Sequence, residues 1–84
     1  MPYSIRYSPR FEKSISKLKK KDPSFYQQVR KKIDEIIDNP EHFKPLKKPK
    51  SSYRRAHVGS FVILYAVRDD IIKIISLDHH DKAY

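Results

Sequence analysis

Histidine is the side chain best suited to exchange protons near neutral pH, and this sequence has four, at positions 42, 57, 79 and 80. Lys48, Lys50, Arg54 and Arg55 lie just upstream of His57, and a tyrosine stands at position 84. A set of this kind can cut RNA without a metal or other cofactor. One group takes the proton of the 2′-OH, a cation stabilises the charge gathering on the phosphate, and another group protonates the departing 5′ oxygen. RNA carries its own nucleophile, so the protein has only to hold it in line. The candidates for proton transfer are His57, His79, His80 and Tyr84, with Arg55 beside them as the stabilising cation. Lys47, Lys48, Lys50, Arg54 and Arg68 are the candidates for holding RNA phosphates.

Each of these residues also has a plainer role. His57 falls in a strand pattern and suits an exposed edge, while His79 and His80 suit a solvated tail. Tyr53, Phe61 and Tyr65 are assigned to the core rather than to base stacking. His57, His79, His80, Asp78 and Asp81 could be combined into a zinc site, but adjacent histidines are poor ligand spacing and the chain has no cysteine. The absence of cysteine also rules out disulfides and thiol nucleophiles. The sequence contains neither a glycine-rich phosphate loop nor a Ser-His-Asp arrangement.

Charge points to the same class of partner. Nineteen Lys and Arg against ten Asp and Glu leave a net +9 in 84 residues, an excess that favours a polyanion. From His42 to Arg68 there is no acidic residue, so the excess is concentrated in one segment. No apolar run approaches the roughly 20 residues that span a bilayer, and the N-terminus lacks a signal-peptide core, so the expected location is the cytoplasm, with no membrane partner.

The elements that must position these groups are legible from periodicity. Tyr3, Ile5 and Tyr7 alternate with Ser4 and Arg6, which predicts a strand. Ser8-Pro9 and Asp22-Pro23 are cap-proline pairs that open two helices, with Phe11, Ile15 and Leu18 on one stripe and Phe25, Val29, Ile33, Ile36 and Ile37 on the other. Asn39-Pro40 closes the second helix, and the stretch 40–52, with three prolines and four lysines, reads as a loop. Tyr53–Val58, Phe61–Val67 and Ile71–Leu77 read as strands joined at Gly59 and at Asp69-Asp70. The middle one is apolar on both faces and therefore central. Residues 78–84 read as a polar tail. The expected fold is a single α+β domain over 1–84, in two layers and in the order β-α-α-β-β-β, with an antiparallel meander backed by a helical hairpin.

The segment Tyr53-Arg54-Arg55-Ala56-His57-Val58-Gly59-Ser60-Phe61-Val62-Ile63-Leu64-Tyr65, together with Asp78-His79-His80-Asp81-Lys82-Ala83-Tyr84, resembles the RelE/ParE toxin family. The resemblance extends over the opening strand and both helices. It implies the toxin of a type II toxin–antitoxin pair, restrained by a small RelB-like antitoxin. RelE-like members cut mRNA on the ribosome without metal, whereas ParE-like members poison DNA gyrase and are not nucleases. By resemblance, Arg55 and His57 fall where such toxins carry basic residues before the glycine turn, His80 near their late Arg or His, and Tyr84 at their closing tyrosine. Many members place an arginine directly after the aromatic that follows the glycine turn; Val62 stands there in this chain.

Overall fold

The structure is a computed structural model that describes residues 3–42, 44–45 and 53–80. Its elements are β1 (Ser4–Tyr7), α1 (Pro9–Lys21), α2 (Pro23–Asp38), β2 (Lys44–Pro45), β3 (Tyr53–Val58), β4 (Phe61–Arg68) and β5 (Ile71–His79). Both helices start where the cap-proline pairs put them. The Ser8 hydroxyl accepts from the Phe11 amide at 3.0 Å. Asp22 serves both helices: its amide donates to the Leu18 carbonyl at 2.8 Å, and its carboxylate accepts from the Phe25 amide at 3.1 Å. Each cap satisfies a backbone group that a helix end leaves open.

The strands form one sheet in the order β1-β5-β4-β3-β2, with β4 at its centre as its two apolar faces require. The β3–β4 and β4–β5 pairs are antiparallel, but β1 joins β5 in parallel, with Ile5 beside Ile72 and Tyr7 beside Ile74. The sheet is therefore mixed, not a pure antiparallel meander. Alternation within a strand says which residues share a face and nothing about direction. Direction is set where β1 runs straight into α1: the Ser8 amide donates to the Ile74 carbonyl at 2.9 Å, and the Ser8 hydroxyl donates to the Ile75 carbonyl.

Two further expectations are corrected. The proline-rich stretch contributes a short edge strand, β2, paired with Arg54 and Arg55. Strand β5 continues through His79, so Asp78 and His79 belong to the sheet rather than to a tail. Both hairpins turn on left-handed residues, Gly59 (φ 58°) in one and Asp69 and Asp70 (φ 49° and 66°) in the other. Two consecutive positive φ values are what a two-residue turn needs to match strand twist.

The helices cover one face of the sheet. Phe11, Val29, Ile33 and Ile36 pack on Ala56, Val58, Ile63, Tyr65, Ile72, Ile74 and Leu77. Tyr65 is fully buried as expected, and its hydroxyl donates to the Pro40 carbonyl at 2.6 Å. Phe61 is half-buried against the core, whereas Tyr53, assigned to the core from the sequence, is 38% exposed. No helix among the described residues is long and apolar enough to cross a membrane.

Candidate functional site

Neighbours in register across a sheet share a face. On the face away from the helices, His57, Val62 and Asp78 form one row across β3, β4 and β5. The next row holds Arg55, Leu64 and Ser76, and the one after it Tyr53, Ala66, Lys73 and Arg6. His80 follows the end of β5. Its amide donates to the Ser60 carbonyl at 2.8 Å, so the β3–β4 turn anchors the backbone that carries it. This anchor brings the His80 ring to 5.6 Å from the His57 ring, centroid to centroid, with the planes inclined at 35°. Val62, in register beside His57, is 1% exposed.

The neighbouring histidine goes elsewhere. His79 is in register with Phe61 and meets its ring edge-on at 5.5 Å, and Phe61 in turn packs on Phe25 of α2 at 5.3 Å. A β-bulge decides which histidine joins His57. Leu64 pairs with Ser76 but Tyr65 pairs with Ile74, so Ile75 is an extra residue in β5. Without it, strict alternation from Ile72 and Ile74 would send Asp78 and His80 to the core face and His79 to the open one. The bulge reverses that parity, and Leu77 enters the core instead.

The other candidates divide between the faces. Arg55 is half-buried, two residues along β3 from His57 and on the same face. Arg54 points the other way and donates to the Glu41 carbonyl at 3.3 Å, beyond the end of α2. Arg68 shares the His57 face but lies six residues beyond Val62, about 20 Å at the usual strand rise. Lys47, Lys48, Lys50 and Tyr84 lie outside the described residues, as does Asp81. Among the described residues no three His, Asp or Glu side chains converge as metal ligands.

Sequence reasoning missed Arg10, and weighed Asp78 only as a zinc ligand. Arg10, in the first turn of α1, pairs with both Asp78 carboxylate oxygens at 3.1 and 3.3 Å. The one carboxylate in the histidine row is thus matched by a cation from outside the sheet. Its signal was hidden because the row exists only once β5 is extended and bulged. Tyr65, on the helix side, belongs to the core: burial pushes its phenol up to about 12, with nearby Arg54 opposing the shift.

A phosphate diester seated over this row would meet two imidazoles and Arg55, with the Asp78 carboxylate held by Arg10, on a face that also carries Leu64, Ser76, Tyr53, Ala66, Lys73 and Arg6. A model of the ParE toxin of type II toxin–antitoxin systems matches residues 5–84. The chain belongs to the RelE/ParE toxin family. A Methanocaldococcus jannaschii protein that bears a RelE4 toxin name is 34% identical, with 98% of this chain and 90% of that protein aligned. The fold matches the toxin–antitoxin complex RelBE2 from Mycobacterium tuberculosis with a TM-score of 0.77 at 23% identity, over 94% of this chain and 99% of the matched one. It matches the E. coli DinJ-YafQ complex with a TM-score of 0.78 at 20% identity, over 98% of each chain. The protein is therefore a toxin of the type II toxin–antitoxin class with the fold seen in the RelBE2 and DinJ-YafQ complexes.

Proposed function

We propose that this toxin is a metal-independent endoribonuclease that cuts mRNA on the ribosome and so blocks translation. The observation that carries the reading is the approach of His57 and His80 to 5.6 Å on the open face of the sheet, with Arg55 on the same face. One imidazole, unprotonated, takes the 2′-OH proton. The 2′ oxygen attacks phosphorus, and the other imidazole, protonated, delivers its proton to the departing 5′ oxygen. The products are a 2′,3′-cyclic phosphate and a 5′-OH. Arg55 stabilises the charge that builds on the phosphoryl oxygens. Tyr84 is a further proton donor on this reading, and Lys47, Lys48, Lys50 and Arg68 hold flanking phosphates. His79 braces Phe61 from the opposite face, and Arg54 closes the end of α2.

The two complexes that share the fold support an antitoxin partner. A RelB-like protein, acidic or amphipathic in the segment that covers the basic face, would hold the toxin inactive. Primer extension on mRNA, with and without programmed ribosomes and with a chelator control on naked RNA, tests the activity. Ribosome-dependent cuts are expected, and uncut message under every condition would overturn the proposal.

A second reading rests on Val62, buried in the histidine row where many members of the family carry arginine, and on the match to a ParE model. It makes the protein a gyrase poison without nuclease activity. Inhibition of supercoiling by purified protein, with no cut in mRNA, would favour that account.

A further inference from the structure

We infer that the open face carries a second RNA subsite, centred on Tyr53, that stacks one unpaired base and grips the adjoining phosphates. The inference rests on the ribonuclease reading for its place in the reaction, but its argument stands on a separate part of the sheet. Beyond the Arg55 row lies a groove of about 760 Å³ lined by Tyr53, Ala66, Arg68, Ile71, Lys73 and Ile75. Tyr53 and Ile71 are the large apolar side chains left most open here, at 38% and 39%. Between Tyr53 and Lys73 the central strand presents only Ala66. A methyl group there leaves the flank of the ring clear for a flat partner.

Charge selects what that partner is. Lys73 is flanked by Arg6 in register on β1, and Arg68 stands at the end of β4. At the usual strand spacing Lys73 lies about 10 Å from Tyr53, and Tyr53 lies about 13 Å from His57 along β3. An aromatic face with cations to one side is the arrangement that holds single strands, stacking the base and neutralising the backbone. Asp69, at the far rim of the groove, repels phosphate and directs the backbone towards Lys73 and Arg6. The subsite reads no base edge, so it positions the strand a few nucleotides from the scissile phosphate without choosing its sequence.

The chain has no tryptophan, so Y53W introduces a single indole at the site while keeping an aromatic face. The full-length toxin is titrated with a single-stranded RNA oligonucleotide, 2′-O-methylated so that it is not cut, and binding is read in parallel by anisotropy. Expected are quenching of the Y53W indole on binding, near-wild-type affinity for Y53F, and a roughly 5- to 150-fold weaker Kd for Y53A. K73A should lower the salt slope by about 0.7, one phosphate contact on a single strand. Quenching should persist when Y53W is combined with H57A and H80A. If it persists and no cleavage is found in any assay, the ribonuclease reading falls and the subsite stands. The inference is overturned by absent RNA binding, by unchanged fluorescence in a complex that anisotropy shows to form, or by wild-type affinity in Y53A. It is equally overturned if an acidic peptide, but not RNA, quenches the indole, which would give the groove to a protein segment.

Discussion

Replacing Tyr65 with phenylalanine should weaken the fold in a way that depends on pH. The Tyr65 hydroxyl, on a side chain 0% exposed, donates to the carbonyl of buried Pro40 at 2.6 Å. That bond ties the end of α2 to the central strand. Y65F keeps the ring and removes the donor, leaving a buried carbonyl without it, which costs roughly 1–3 kcal/mol. Against a total stability of about 4–13 kcal/mol for a domain of this length, that is a large fraction. It corresponds to a fall in Tm on the order of 5–20 °C. Burial also pushes the phenol up to about 12 from an ordinary 10. Its contribution is therefore complete below pH 10 and is lost as pH rises towards 12, at about 1.4 kcal/mol per pH unit. Urea unfolding of both proteins at intervals from pH 7 to 11.5 reads this directly. The gap between wild type and Y65F should be constant up to about pH 10 and then narrow. A gap that stays constant to pH 11.5, or is absent at pH 7, would refute the assignment of this bond.

The Ser8 hydroxyl both caps α1 and donates to the Ile75 carbonyl at the bulge. S8A should cost about 0.5–2 kcal/mol in urea unfolding, and S8D, which keeps the cap but sets a carboxylate against the Ile75 carbonyl, should not restore wild-type stability. G59A places a Cβ 3.4 Å from the Phe25 ring at φ +58°, so it should lower stability by about 1–2 kcal/mol and loosen the turn that holds His80. Arg10 is 70% exposed in its pair with Asp78, and R10A should change stability by less than about 1 kcal/mol, an effect that shrinks further in high salt.

The caps, the helices, the hairpins and the central position of β4 were all legible, because each rests on local chemistry: a serine or aspartate before proline, apolar residues on one stripe, residues tolerant of positive φ in the turns. The parallel pairing of β1 was not, since a single strand carries no direction. The arrangement of the candidate site was not legible either. His57, His80 and Arg55 stand on one face, as a shared role would require, but the separation of His79 from His80 depends on the bulge at Ile75. That extra residue looks like any other aliphatic in a strand. It is excluded from the alternation only because β4 pairs Leu64 and Tyr65 with Ser76 and Ile74. Tyr53 was assigned to the core because aromatic residues in strands are usually buried. The small Ala66 beside it, and its place on the uncovered face, leave it exposed instead.

The most direct test of the account is the cleavage rate of ribosome-bound mRNA by wild type, H57A, H80A and H79A, measured by single-turnover primer extension. The account predicts that H57A and H80A each lose about 10²- to 10⁴-fold. H79A, whose ring rests on Phe61 on the other side of the sheet, should stay within a few-fold of wild type. Wild-type cleavage by H57A and H80A, or a loss in H79A as large as in H80A with folding intact, would contradict the claim that His57 and His80 form the catalytic pair.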